Sequence, residues 1–191
     1  MKQYTKYPQS YISSAVKPVE DEDPELKEEL AENSDNPRTL MRLASDPDSH
    51  IRNLVAGNQN APESVLAKLS RDKDFKVREI VASNAATPGN ILNRLSKQSS
   101  TVLLRRIVRN QNTPIETLTR LAAHPDASVR CEVASSDRAP LQLLEMLASD
   151  DDPSVRVAVG LNMNTPEELY TQIMNTSSEY VQKYLKRFKR W

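Results

Sequence analysis

Side chains able to do covalent or acid–base chemistry are few and scattered along this sequence. Two histidines, His50 and His124, one cysteine, Cys131, and 26 carboxylates make up the stock of bases, nucleophiles and hard ligands in 191 residues. A nucleophile needs a base within hydrogen-bond reach, and a metal centre needs several convergent ligands. One cysteine excludes an internal disulfide framework and any cysteine-based metal cluster. With three glycines there is no phosphate-cradling loop, and neither H-E-x-x-H nor G-x-S-x-G occurs. No catalytic residue, cofactor-binding residue or metal ligand is expected, and the chain is not read as an enzyme.

Charge offers chemistry of another kind, the recognition of anions. Between Glu79 and Glu116 no acidic residue occurs, while Arg94, Lys97, Arg105, Arg106 and Arg109 do. Arg105 and Arg109 share a helix face, and neither has an acid at the compensating i±4 position. Five bases without local acids make a positive potential able to steer an anionic partner. A second basic stretch closes the chain, with Lys183, Lys186, Arg187, Lys189 and Arg190 around Tyr180, Tyr184, Phe188 and Trp191. The candidate partner-binding residues are therefore Arg94, Lys97, Arg105, Arg106, Arg109, Lys183, Tyr184, Arg187 and Trp191. Arginines also recur at Arg52, Arg78, Arg130 and Arg156, each four residues after Asp48, Asp74, Asp126 or Asp152. Acid before base at i, i+4 is the stabilising order on a helix, so this Asp–Arg ladder reads as structural. Lysine plus arginine equals aspartate plus glutamate at 26 each, which argues against a wholesale electrostatic nucleic-acid binder.

The elements that carry these side chains follow from one period. Leu40, Leu66, Leu92, Leu118 and Leu144 stand 26 residues apart, with Tyr170 in sixth place. The same step links Leu43, Leu69, Leu95, Leu121, Leu147 and Ile173, then Ile51, Val77, Leu103, Val129, Val155 and Val181, then Val55, Val81, Ile107, Val133, Val159 and Leu185. Four apolar columns over six copies specify a repeat architecture. Within a copy the spacings i, i+3 and i, i+4 place each pair on one helical face. Twelve prolines act as punctuation: Thr87-Pro88, Thr113-Pro114 and Thr165-Pro166 predict a threonine N-cap before proline, and Thr113/Glu116 and Thr165/Glu168 have capping-box spacing. Asn58, Asn84, Asn110 and Asn162 follow the first helix of a copy, where a left-handed terminating residue is expected. Such short helices are marginal alone, so copies must stack.

Segments such as DPSVRVAVGLNMNTPEELYTQI and HPDASVRCEVASSDRAPLQLLEMLA resemble the leucine-rich repeat variant family, a HEAT-like and armadillo-like helical repeat. The resemblance spans roughly residues 23–175. It implies an all-α fold, a right-handed α-solenoid (superhelix) of short helix pairs in six repeats of 26 residues. It also implies a binding surface in place of a reaction. The iron–sulfur cysteine cluster of a founding member has no counterpart here. A HEAT-like glycosylase would need a catalytic acid beside aromatic residues in a groove, and the sole tryptophan is the final residue.

Organisation follows. Residues 1–22 hold no repeat and read as a mobile N-terminal arm. Residues 23–36 read as an acidic capping half-repeat, since nine acids against Lys27 alone fall between Glu20 and Asp35. The helical repeat array covers 37–175, and 176–191 read as a basic, aromatic C-terminal capping helix. The longest apolar runs fall short of a membrane span, the first twenty residues lack a secretory core, and the expected compartment is cytoplasmic. The expected function is a recognition scaffold binding a protein partner. The alternative is nucleic-acid backbone binding through the third repeat and the last helix.

Overall fold

The structure, a computed structural model, describes residues 24–98 and 100–188. Among these residues there are thirteen helices and no strand. In chain order they are α1 (Pro24–Asn33), α2 (Pro37–Leu43), α3 (Ser49–Gly57), α4 (Glu63–Leu69), α5 (Phe75–Ser83), α6 (Gly89–Leu95), α7 (Thr101–Arg109), α8 (Ile115–Ala122), α9 (Ala127–Ala134), α10 (Leu141–Leu147), α11 (Pro153–Leu161), α12 (Glu167–Thr176) and α13 (Glu179–Phe188). Each 26-residue copy supplies one even-numbered and one odd-numbered helix. The helices divide into two compact units, one ending at Leu95 and the other beginning at Ser96. In the first unit α1, α3 and α5 stack in series, and α2 packs on α4. In the second α7, α9, α11 and α13 stack in series, and α8 packs on α10.

The four apolar columns form the core. Every member is buried except Tyr170, which is half-buried while its neighbour Leu169 turns inward. A fifth column escaped the period count because it mixes chemistry: Thr39, Val65, Ile91, Thr117, Leu143 and Leu169 are all buried. Helices of seven to ten residues gain little from their own hydrogen bonds. Each buried leucine or valine contributes about 1.5–3 kcal/mol instead, so stacking sustains the helices.

Two punctuation residues act differently from the local expectation. No non-glycine residue among those described has positive φ. The asparagines after the odd-numbered helices are extended, with Asn58 at φ −64, ψ 122 and Asn84 at φ −69, ψ 126. Their side chains work across repeats. Asn58 Nδ2 donates to the carbonyls of Ala31 and Ser34 at 3.1 and 2.9 Å, and Asn84 Nδ2 to those of Ala56 and Asn58 at 2.7 and 2.9 Å. In the second unit Asn162 Nδ2 donates to Ala134 and Ser136 at 2.7 and 2.9 Å. Each Oδ1 meanwhile accepts from an amide two residues on, in Asn60, Ala86, Asn112 and Asn164. This buried asparagine ladder satisfies carbonyls that a helix C-terminus otherwise strands. Where the column holds Ser136, Arg138 Nη1 donates instead to the carbonyls of Asn110 (3.2 Å) and Thr113 (2.7 Å).

The Thr-Pro expectation is also corrected. At α8 and α12 the N-cap position is Pro114 or Pro166 itself, with no side-chain cap bond. Thr87, Thr113 and Thr165 are buried, and their hydroxyls donate backwards to Val81, Ile107 and Val159 carbonyls at 2.6, 2.5 and 2.5 Å. They close the preceding helix and do not open the next.

Candidate partner-binding surfaces

The Asp–Arg ladder is built differently from the i, i+4 pairing its spacing predicts. Asp48, Asp74, Asp126 and Asp152 are N-caps, each accepting from a backbone amide two residues on at 2.8 Å. Bonds from Ser128 and Ser154 hold the Asp126 and Asp152 carboxyls below the usual carboxylate range. With the aspartates so engaged, the arginines bind elsewhere. Arg52 Nε and Nη2 grip Asp72 at 2.8 and 3.0 Å, and Arg130 grips Asp150 at 2.7 and 2.8 Å. In both, Nη1 donates to two carbonyls at the turn before its own helix, those of Asp46 and Pro47 or of His124 and Pro125. Arg78 and Arg156 make the same carbonyl contacts, with Asp72 and Lys73 or Asp150 and Asp151. Arg156 Nε then meets Ser177 Oγ at 3.2 Å, and the Arg78 guanidinium lies 5.4 Å from the Phe75 ring centroid. These clasps join one turn to the following one. They hold the helices, and none of the four presents a free cation for a ligand.

Acid should loosen the clasps. The Arg130 bond holds Asp150 below its ordinary value; burial pushes Asp72 up, but Arg52 and the Asp74 amide outweigh it and bring it below too. A depressed folded-state carboxyl contributes stability that is complete above the unfolded value, about 3.9, and is lost as pH falls through the folded value. The urea midpoint is therefore expected to be level from about pH 7 to 5 and to drop below about pH 4. In Asp150→Asn that acid slope should be shallower.

Of the five bases of the third repeat, Arg94, Arg105 and Arg109 have side-chain partners. Arg94 Nη2 reaches Ser70 Oγ at 2.5 Å and the Ala67 carbonyl at 3.5 Å. Lys97 is exposed on the turn after α6, and Arg106 is exposed on α7. Arg105 and Arg109 converge on one acid from the next repeat, Glu132 of α9. Arg109 Nε and Nη2 meet its carboxylate at 2.5 and 3.1 Å, and Arg105 Nε at 3.0 Å. Glu132 is mostly buried, with 11% of its side chain exposed against 47% for Arg105 and 66% for Arg109. Burial pushes its carboxyl up, but the two arginines outweigh that and hold it below the usual range. The expectation of unpaired bases fails because the compensating acid lies a repeat away, out of reach of an i±4 count.

The last helix is amphipathic in an unexpected sense. Val181 and Leu185 are buried against α11 and close the core. Tyr180, Tyr184 and Phe188 stand outside, 65%, 38% and 47% exposed. Their rings form a tilted row, with centroids 6.4 and 4.6 Å apart. Lys183, Lys186 and Arg187 border them, and the Arg187 guanidinium lies 5.2 Å from the Phe188 centroid. The aromatics therefore do not cover the end of the core. Trp191, Lys189 and Arg190 lie outside the described residues, as does the arm over 1–22.

Groups suited to chemistry stay apart. His50 Nε2 sits 3.5 Å from Glu28 Oε1, and His124 Nδ1 accepts from the Asp126 amide. Burial, with Asp152 and Asp150 nearby, pushes the half-buried Cys131 thiol up and away from the reactive thiolate. Among the described residues no cluster of three or more metal-ligating side chains occurs. Among the described residues no helix is long and apolar enough to cross a membrane.

No family model matches the chain, and no curated protein matches it in sequence. Among solved structures, a leucine-rich repeat variant described as having a novel repetitive protein structural motif aligns with a TM-score of 0.66 and 24% identity, covering 88% of this chain and 67% of that one. The fold is that of a leucine-rich repeat variant. In repeat-variant terms, the asparagine ladder and arginine clasps are the stacking apparatus. The α7 face and the outer face of α13 are surfaces that stacking leaves over. The period exposed the apolar columns; it did not mark Glu132, whose column also holds Ile80, Arg106 and Ala158.

Proposed function

We propose that the chain is a non-enzymatic recognition scaffold that binds a protein partner through its repeat surface. The row of Tyr180, Tyr184 and Phe188 carries this reading. Three aromatic rings stand on the outer face of a helix whose inner face already packs through Val181 and Leu185, so they are not needed to fill the core. Aromatic side chains bordered by arginine are the composition of interface anchors. Phosphate binding by the same surface is the competing reading. It predicts a steep loss of affinity with salt, whereas a mainly apolar interface is much less sensitive.

Tyr184→Ser/Phe188→Ser is expected to keep the fold and to lose no more than about 1–2 kcal/mol of stability, the worth of the ring contacts on the helix surface. Quantitative affinity capture from native-host extract should then lose its main protein partner by tenfold or more. Unchanged capture by the double variant would move the interface off α13. Duplex or single-stranded DNA bound by wild type at low salt and released at physiological salt would favour the phosphate reading.

A further inference from the structure

A second surface, on α7, α9 and α11, has chemistry specific enough to define its occupant. An open groove of about 540 Å³ runs there. Arg105 and Arg109 stand at one side, Ala127, Ser128, Cys131 and Ser135 supply a floor of small side chains, and Asp152 also lines it. Arg105 is the distinctive member. Its Nε is bound to Glu132, and among the described residues its two terminal nitrogens have no partner. Glu132 also takes both bonds from Arg109, so on this side of the groove one carboxylate serves two guanidiniums, while Asp152 lies on α11. The result is a guanidinium held at its inner nitrogen and open at its outer edge, where the two terminal nitrogens can receive a carboxylate end-on. Exposed Val102 borders the same arginines and offers an apolar contact.

We propose that this groove binds an acidic segment of a protein partner, with one Asp or Glu side chain of that segment on the outer edge of Arg105. The proposal rests on the scaffold reading and adds a site and a partner chemistry to it. Lining charges decide between an acidic peptide and a nucleic acid. Glu132 and Asp152 face the groove along with the arginines. A phosphate backbone, charged at every residue, would meet those carboxylates. A peptide places one carboxylate at Arg105 and turns polar or basic groups to Asp152. Small floor residues admit an extended backbone.

The test uses the purified full chain and fluorescence anisotropy at about 0.15 M salt, where exposed long-range attraction is largely screened. Probes are a short peptide with a Glu-Asp pair among Leu, Ser and Gly, its Gln-Asn counterpart, and a single-stranded oligonucleotide. The acidic peptide should bind at least tenfold more tightly than its neutral counterpart. Arg105→Gln, which leaves Glu132 its two bonds from Arg109, should lower the urea midpoint only slightly and weaken the acidic peptide about tenfold. Glu132→Gln separates the fork from bulk attraction. Removing a negative charge tightens binding if only charge matters, and weakens it if Glu132 holds Arg105 in place. Equal affinity for the two peptides, tighter binding by Glu132→Gln, or preference for the oligonucleotide overturns the proposal. So does occupation of the groove by a second copy, read as self-association in sedimentation that Arg105→Gln abolishes. Loss of the groove site with α13-dependent capture intact would leave the scaffold reading standing; loss of both would end it.

Discussion

Asn84→Ala is expected to lower the folding free energy by about 3 kcal/mol, although it deletes only an uncharged amide. Asn84 is 2% exposed. Its Nδ2 satisfies two carbonyls, one at the end of α3 and one in the turn that follows, and its Oδ1 takes the Ala86 amide at 2.8 Å. Truncation strands the Ala56 carbonyl and the Ala86 amide where water reaches them poorly and leaves the Asn58 carbonyl with the Ala61 amide alone; each stranded group costs about 1–3 kcal/mol before relaxation. Not all of that cost is realised, because the turn can open to solvent. Asn84→Asp should be at least as damaging at neutral pH, since it keeps the acceptor but sets a charge against two carbonyl oxygens. The exposed neighbour Asn60 lends no such side-chain donor to the preceding repeat, and Asn60→Ala should change stability by less than about 0.5 kcal/mol. Urea denaturation followed by circular dichroism measures all three.

Arg52→Met should have a comparable effect for a different reason. Arg52 is 4% exposed, and its guanidinium makes four bonds, two to Asp72 and two to the carbonyls of Asp46 and Pro47. Methionine fills much of the volume, so packing is largely preserved and the loss is electrostatic. Asp72, with 9% of its side chain exposed, keeps its charge and loses its partner. Breaking a buried pair on one side costs about 3–5 kcal/mol, and the lower figure applies here because the Asp74 amide still bonds to Asp72. Adding Asp72→Asn to Arg52→Met should restore about half of the loss, since the stranded charge is gone. If the double variant is as unstable as the single one, the clasp acts through its carbonyl bonds and the ion pair is incidental.

What was legible in the sequence divides along a physical line. Helices and core columns follow from local periodicity, because burial demands apolar residues at every copy of a position; Leu40 to Leu144 could hardly be anything else. Cross-repeat bonds obey no local rule. Asn84 carries the composition of a helix terminator, yet its φ is negative and its side chain serves the carbonyls of the preceding repeat. Arg52 stands four residues after Asp48, but that aspartate is spent on the His50 amide, and the true partner lies twenty residues on. A signal for it existed. Asp72 and Asp150 stand three periods apart, each two residues before a capping aspartate, so the D-x-D pattern held both the cap and the clasp. Arg105 and Arg109 had no comparable signal. Glu132 sits in a column otherwise filled by Leu54, Ile80, Arg106, Ala158 and Tyr184, and only the stacking of α7 on α9 brings it to them.

A scaffold that offers preformed surfaces requires stacking rigid enough to hold them, and that requirement is measurable without knowing any partner. Side-chain amide protons of Asn58, Asn84 and Asn162 can be followed by hydrogen exchange in a labelled sample. Bound to buried carbonyls across the repeat junctions, they should exchange only through opening of the stack, at least a thousandfold more slowly than those of exposed Asn60. Exchange at the free rate, with the helices still folded by circular dichroism, would mean that the junctions are loose and the account of this fold is wrong.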